Sequence, residues 1–290
     1  MTLTTDEEFA PGGREDDGPM TDTSLPRDYM SVSQINTYIK CGKMYELKYA
    51  YGLPVTMGYS AARGGGVHKG AEYLLRGLKG GAAPSLDECH DAVATEFEAR
   101  LAESEIKESD EEALTRDEEK DMAIAMMTRY YDVPLGKSKD DASTLTIPAI
   151  KPVEIERDFT YTVQPPNTDK VHLRVIVDLE EEVAVRDLKT RGKLGNQNEA
   201  NDSLQLTLYS MATQRPVVSY DMLIAPTKKY GVRFARFQSV RTRADYEHGL
   251  NIVGDVASAI RAGVFPRTNP ENWWCSERFC DFWGSCRGKK

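Results

Sequence analysis

The sequence predicts an α/β or α+β fold built on one central mixed sheet flanked by helices. Three observations lead there. Through the first half of the 290-residue chain, apolar residues recur at helical spacing. Between Val153 and Leu188 the period changes to two, as strands require. Beyond that, helix and strand patterns alternate to the last helix. Hydrophobic residues make up 40% and charged residues 29%, the balance of an ordinary globular chain long enough to bury a full core.

Residues 1–28 are rich in Asp, Glu, Gly, Pro and Thr and are expected to form a disordered acidic tail, with a single domain over 29–290. Ser31 or Ser33 can cap a helix through Ile35, Tyr38 and Ile39, which Cys41 and Gly42 end. Gly64, Gly65 and Gly66 precede a helix over about 67–78. The next spans roughly 86–106, with Leu86, Cys89, Val93 and Phe97 on one face. With a helix through Met122, Met126 and Tyr130, it forms a helical insertion at about 80–135. Strands follow at 153–163, 171–178 and 183–188, the last two joined by a polar turn at Glu180, Glu181 and Glu182. A helix over 204–212, strands at 217–224 and 232–237, and a helix over 244–262 closed by Gly263 complete the chain.

No apolar run is long enough for a transmembrane helix, and no secretory signal is visible. The expected compartment is the cytoplasm, where thiols stay reduced, so five cysteines point to a metal or cluster site before disulfides. The net charge of −9 is unevenly spread. Residues 103–121 hold ten acids against three bases, whereas residues 226–290 hold twelve bases against six acids.

Asp178 closes one apolar strand, and Asp187 and Lys189 close the next. Residues two apart on a strand share a face, so Asp187 and Lys189 project together. Two carboxylates at adjoining strand ends make a hard oxygen site for Mg²⁺ or Mn²⁺. A lysine beside them can position or deprotonate a water and offset developing phosphate charge. Together these parts fit metal-assisted phosphodiester hydrolysis. Near the C-terminus, Cys275, Cys280 and Cys286 lie among Trp273, Trp274, Phe279, Phe282 and Trp283, with Cys41 far upstream. Four thiolates suit one [4Fe–4S] cluster or one tetrahedral zinc, and spacing leaves both open. Cys89 reads as a core residue.

The segment from Val175 to Lys189 resembles the core motif of the PD-(D/E)xK nucleases. More closely, it is similar to the branch containing the nuclease domains of RecB and AddB and the CRISPR-associated nucleases. That branch often carries Gln-x-x-x-Tyr on the following helix, matched by Gln205 and Tyr209, and an N-terminal Gly-x-x-x-His, matched by Gly64 and His68. The resemblance implies a restriction-endonuclease-like α/β sheet. It implies a metal held by His68, Asp178, Asp187 and the Leu188 backbone carbonyl, with Lys189 assisting the attacking water. Gln205 and Tyr209 would border the site and contact the nucleic acid. Glu72, one turn beyond His68, reads as a solvated helix charge.

The stretch from Ser31 to Cys41, followed by Tyr45, resembles the N-terminal segment of AddB-type nucleases. This implies a [4Fe–4S] cluster on Cys41, Cys275, Cys280 and Cys286 that ties the two chain ends together. The sequence departs from the family at four points. Val175 replaces a usual Gly, Asp187 a frequent Glu, and Gly42 a usual Pro, while the first C-terminal cysteine gap is four residues rather than two. The implied function is a metal-dependent DNA exonuclease or end-processing nuclease in recombination, repair or replication. It would act on DNA ends or single-stranded regions, alone or with a separate helicase or recombinase. Arg191 and Lys193 are candidates for DNA binding through backbone phosphates, as are Lys228, Lys229, Arg233 and Arg236. The alternative is a catalytically inactive iron–sulfur DNA-binding or scaffold protein, for which Val175 is the hint.

Overall fold

The computed structural model describes residues 25–106, 114–166 and 168–287. In chain order these form β1 (Met30–Ser31), α1 (Val32–Lys40) and α2 (Gly42–Tyr45), the last running into a wide helical turn over Glu46–Ala50. Helices α3 (Tyr59–Lys79), α4 (Leu86–Ala102) and α5 (Arg116–Tyr131) follow. Then come β2 (Glu154–Val163), β3 (Val171–Glu180), β4 (Ala184–Arg191), α6 (Gln197–Asn201) and α7 (Leu204–Thr213). The chain continues through β5 (Val217–Ile224), β6 (Arg233–Val240), α8 (Arg243–Arg261) and α9 (Trp283–Arg287). The architecture is α/β, with a central mixed sheet flanked by helices.

The sheet runs β1-β3-β4-β5-β6, and β2 pairs with β3. The β2–β3, β3–β4 and β5–β6 pairs are antiparallel, while β1–β3 and β4–β5 are parallel. On β3, Val171, Leu173, Val175 and Val177 are buried while Ile176 is exposed, the alternation of a strand with one covered face. Two apolar clusters hold the layers together. The first joins β3, β4 and β5 to α1, α7 and α8 through Ile35, Leu206, Met211, Val253 and Ile260. The second joins α3, α4 and α5 through Val67, Leu74, Val93, Met126 and Met127 to Leu188, Leu223 and Phe234 of the sheet. The β2–β3 ribbon serves both. Tyr161, Val163 and Val177 pack in the first cluster, whereas Ile155 and Leu179, two residues past the last of these on β3, pack in the second. The ribbon therefore changes sides at Glu156 and Asp178.

Caps fix where the helices begin. Ser31 accepts from Gln34 N to start α1, and reciprocal capping boxes start α4 (Ser85 with Glu88), α5 (Thr115 with Glu118) and α8 (Thr242 with Asp245). Gly263, with φ 68°, follows the end of α8.

Several expectations are corrected. Gly64, Gly65 and Gly66 lie within α3, which starts at Tyr59, rather than before it. Packing decides this: a Cβ on Gly66 would meet the Val93 carbonyl at 2.9 Å, and one on Gly70 would meet Val93 Cγ2 at 2.5 Å. The glycines let α3 and α4 approach closely, and that contact outweighs their poor helix propensity. Helix α4 ends at Ala102, and Ile106 instead bridges to Met57. Glu180 is no part of a polar turn. It ends β3 fully buried, with Arg215 at 2.7 Å and Arg157 at 3.5 Å compensating its charge. Residues 1–24 of the expected tail lie outside the described residues, and Leu25, the first of those described, is buried in the first cluster. Among the described residues, no helix is long and apolar enough to cross a membrane.

Candidate active site

Strand register builds the site. The β2–β3 pairing sets Glu156 opposite Asp178, and the β3–β4 pairing sets Asp178 opposite Asp187. Three carboxylates thus occupy one row across three neighbouring strands. The β3–β4 ladder stops at Leu179↔Arg186, one step short of this row. There the Asp178 side chain replaces the backbone partner, and its Oδ2 accepts the Leu188 N–H at 2.9 Å. The N–H and C=O of one strand residue point to the same side, so the Leu188 carbonyl also faces this gap.

Two helices complete the arrangement. From α3, His68 Nδ1 reaches to 3.4 Å of Asp178 Oδ2. From α7, capped by Ser203, Gln205 Nε2 donates to Asp187 Oδ1 at 2.7 Å and to the Tyr209 hydroxyl at 2.9 Å. Lys189 Nζ donates to Gln205 Oε1 at 3.0 Å and lies 2.7 Å from Asp187 Oδ2. That second contact is an ion pair with a carboxylate oxygen buried in the core. Tyr209 is itself buried, so it steadies Gln205 from behind rather than facing a groove.

Burial dominates the electrostatics. It pushes Asp187, 1% exposed, up to about 7, with the Asp178 carboxylate adding to the shift. Burial and then Asp178 push Glu156 up to about 7 as well. Burial works against a charged Lys189, but the adjacent Asp187 more than offsets this and raises it. Burial, reinforced by Asp187, also raises Tyr209. A row of carboxylates with one lysine beside it is short of positive charge. The donor atoms of His68, Glu156 and Asp178 lie within 4.8 Å of one another. These oxygens and one imidazole fit a divalent cation such as Mg²⁺ or Mn²⁺.

Two open grooves flank the row, each of about 540 Å³, the size of a ligand cleft. One is lined by His68, Lys69, Arg100, Glu156, Leu188 and Lys189. The other is lined by Asn36, Arg191, Asn196, Ser203, Gln205 and Tyr220. Arg191 stands exposed at the end of β4, 3.5 Å from Glu199, and Lys193 is exposed two residues on. Lys228 and Lys229 are exposed and Arg233 is half-buried. Arg236 is not available for phosphates, because it is held by both oxygens of the buried Asp221 at 2.7 and 2.6 Å. Glu72 is not a solvated charge. It lines the first groove, where Lys69 at 2.9 Å and Arg76 at 2.7 Å outweigh its partial burial and hold its carboxyl below the usual range. Val175 is a core residue that lines neither groove.

Sequence reasoning missed Glu156. The available signal was antiparallel pairing, since matching the apolar positions of β2 to those of β3 brings Glu156 opposite Asp178.

The cysteines form a separate region. Cys41, Cys275, Cys280 and Cys286 line one cavity of about 220 Å³, together with Trp274 and Phe282. Burial, with the other three thiols nearby, raises the Cys280 thiol. No three of these sulfurs lie within 4.8 Å of one another. At Gly42 a Cβ would lie 2.6 Å from Pro266 Cδ, so glycine admits the C-terminal segment beside Cys41. Cys89 lies apart, fully buried in the second core cluster.

No curated protein matches the chain. Residues 29–287 match the family model of the PD-(D/E)XK nuclease superfamily, and the chain belongs to that superfamily.

Proposed function

We propose that this chain is a divalent-metal-dependent DNA exonuclease or end-processing nuclease of the RecB- and AddB-like branch. The observation that carries the reading is the network joining Asp178, Asp187, Lys189 and Gln205 across β3, β4 and α7. His68, Asp178, Asp187 and the Leu188 carbonyl would hold Mg²⁺ or Mn²⁺. Such a cation supplies Lewis-acid stabilisation of charge on a transferring phosphoryl group. Lys189, steered by Gln205 and Asp187, presents its ammonium where that charge develops and helps place the attacking water. Tyr209 fixes the Gln205 amide. Arg191 and Lys193 would hold backbone phosphates, contacts that read no sequence, so little base preference is expected. DNA ends or single-stranded regions are the proposed substrate, and a separate helicase or recombinase in the cytoplasm the proposed partner.

The four cysteines of the aromatic-lined cavity are proposed to carry a structural [4Fe–4S] cluster. A zinc ion would need its sulfurs about 3.8 Å apart, given Zn–S bonds of about 2.3 Å. Iron and sulfide analysis of anaerobically purified protein should find about four of each per chain; zinc in their place would overturn this assignment.

The inactive-scaffold alternative loses its one hint, because Val175 belongs to the core. End-labelled single- and double-stranded oligonucleotides, incubated with the protein in Mn²⁺ or Mg²⁺, test the main reading. Progressive shortening that EDTA abolishes is expected. Intact DNA in both metals would overturn it.

A further inference from the structure

Arg241 follows the end of β6 and is 4% exposed, yet among the described residues it forms no ion pair. Burial pulls its guanidinium down from the ordinary value, and Asp245 opposes this only in part. A buried charge without a charged partner is costly, so its retention asks for a reason.

The guanidinium is spent on neutral oxygens at one junction. Its Nε donates to Thr207 Oγ1 at 2.8 Å and its Nη1 to Ser239 Oγ at 3.0 Å. Its Nη2 donates to the carbonyls of Ala200 at 2.6 Å and Ser203 at 3.2 Å. Ala200 lies in the last turn of α6, and Ser203 caps α7. Arg241 therefore clasps the break between these two helices to the end of β6. The last carbonyls of a helix lack intrahelical partners, and a cation there is favourable.

Gln205 sits in the first turn of α7, between the two clasped residues Ser203 and Thr207. These two are also joined to each other, since Thr207 Oγ1 donates to the Ser203 carbonyl at 3.0 Å. The Ser203 hydroxyl accepts Leu206 N at 3.1 Å and meets the Tyr220 hydroxyl at 2.6 Å. The Tyr220 ring in turn lies 5.4 Å from Lys189 Nζ, a cation–π distance. Leu206 and Leu208 pack α7 against the first core cluster, but apolar burial has no direction. A planar guanidinium fork does, and it fixes the height and rotation of the turn that carries Gln205.

We propose that Arg241 is a positioning residue for the active site: it sets the first turn of α7 so that the Gln205 amide meets both Asp187 and Lys189. The proposal rests on the nuclease reading and adds to it a residue remote from the reacting atoms. A shift of about 1 Å in such a support can slow chemistry by on the order of 100-fold.

The test is single-turnover cleavage of end-labelled DNA in Mn²⁺ and in Mg²⁺. Wild type, Arg241→Met, Gln205→Ala and the double variant are compared, with circular dichroism verifying that each is folded. Arg241→Met should lower the saturated rate constant about tenfold, with half-saturating DNA within about twofold of wild type. Added to Gln205→Ala, it should slow cleavage by less than about threefold more, the remainder passing through Tyr220. Thr207→Val keeps the side-chain shape and removes one acceptor, so it tests the same coupling if Arg241→Met does not fold. It should slow cleavage about two- to fivefold alone and not at all beside Gln205→Ala. Losses that multiply in either double variant, or a fall in Tm with the saturated rate constant unchanged, overturn the proposal and leave the nuclease reading standing. Intact DNA with wild type in both metals overturns the two together.

Discussion

The carboxylate row and the cysteine cavity stand in different relations to what they would bind. The row is organised by the protein itself. Backbone register aligns Glu156, Asp178 and Asp187, a side chain of β3 caps a backbone N–H of β4, and an amide from α7 holds both Asp187 and Lys189. The four thiols share a cavity, but no three are gathered as His68, Glu156 and Asp178 are, and the segment carrying three of them has one short helix, α9. A site set by a sheet is preformed, whereas a site closing two chain ends needs its occupant to finish folding. Occupant removal should therefore leave the first region intact and loosen the second.

The sharpest contrast comes from Asp187→Ala and Lys189→Ala. Each should lower cleavage of end-labelled DNA by on the order of 1000-fold or more, with the fold retained by circular dichroism. Activity near wild type in either would break the assignment of the row. In the other region, Cys280→Ser should act chiefly on the fold, lowering Tm by roughly 10 °C and reducing bound iron. A variant with unchanged Tm would mean that the cavity contributes little to holding the chain ends. Gly42→Ala tests the same closure without touching a thiol. With Pro266 Cδ only 2.6 Å from the new Cβ, the C-terminal segment must shift, at a cost of about 1–3 kcal/mol in chemical denaturation.

Gln205→Ala removes a residue that steers others, and cleavage should fall about 10- to 100-fold with little change in Tm. A loss as deep as that of Lys189→Ala would give Gln205 a direct part in the chemistry. The smallest effect is expected at Glu156→Gly, which relieves the left-handed strain of a backbone with φ 49° and removes a crowded carboxylate. In metal-free buffer it should raise stability by about 1 kcal/mol while metal binding weakens.

The parts of the site legible in the sequence were those that local pattern encodes. Period-two alternation located the strands bearing Asp178, Asp187 and Lys189, although β3 runs on to Glu180 and β4 to Arg191, so that none of the three closes its strand. Helical spacing put Gln205 and Tyr209 on one face. Tertiary pairing was not legible. Glu156 has acidic neighbours at Glu154 and Asp158, and only its place opposite Asp178 singles it out. Its left-handed backbone carries no glycine or asparagine to announce it. The three glycines of α3 looked like a helix boundary because the cause of their presence, α4, is distant in sequence. Glu180 and Arg236 looked like surface charges because their partners, Arg215 and Asp221, come from other elements. Composition located the cysteines but not their spacing.

The most direct test is a crystal structure of the protein soaked in Mn²⁺, with anomalous scattering locating the ions. A peak beside Asp178, between the faces formed by Glu156 with His68 and by Asp187 with Leu188, is the predicted result. Anomalous density elsewhere on the chain, with the carboxylate row empty at saturating Mn²⁺, would contradict the account.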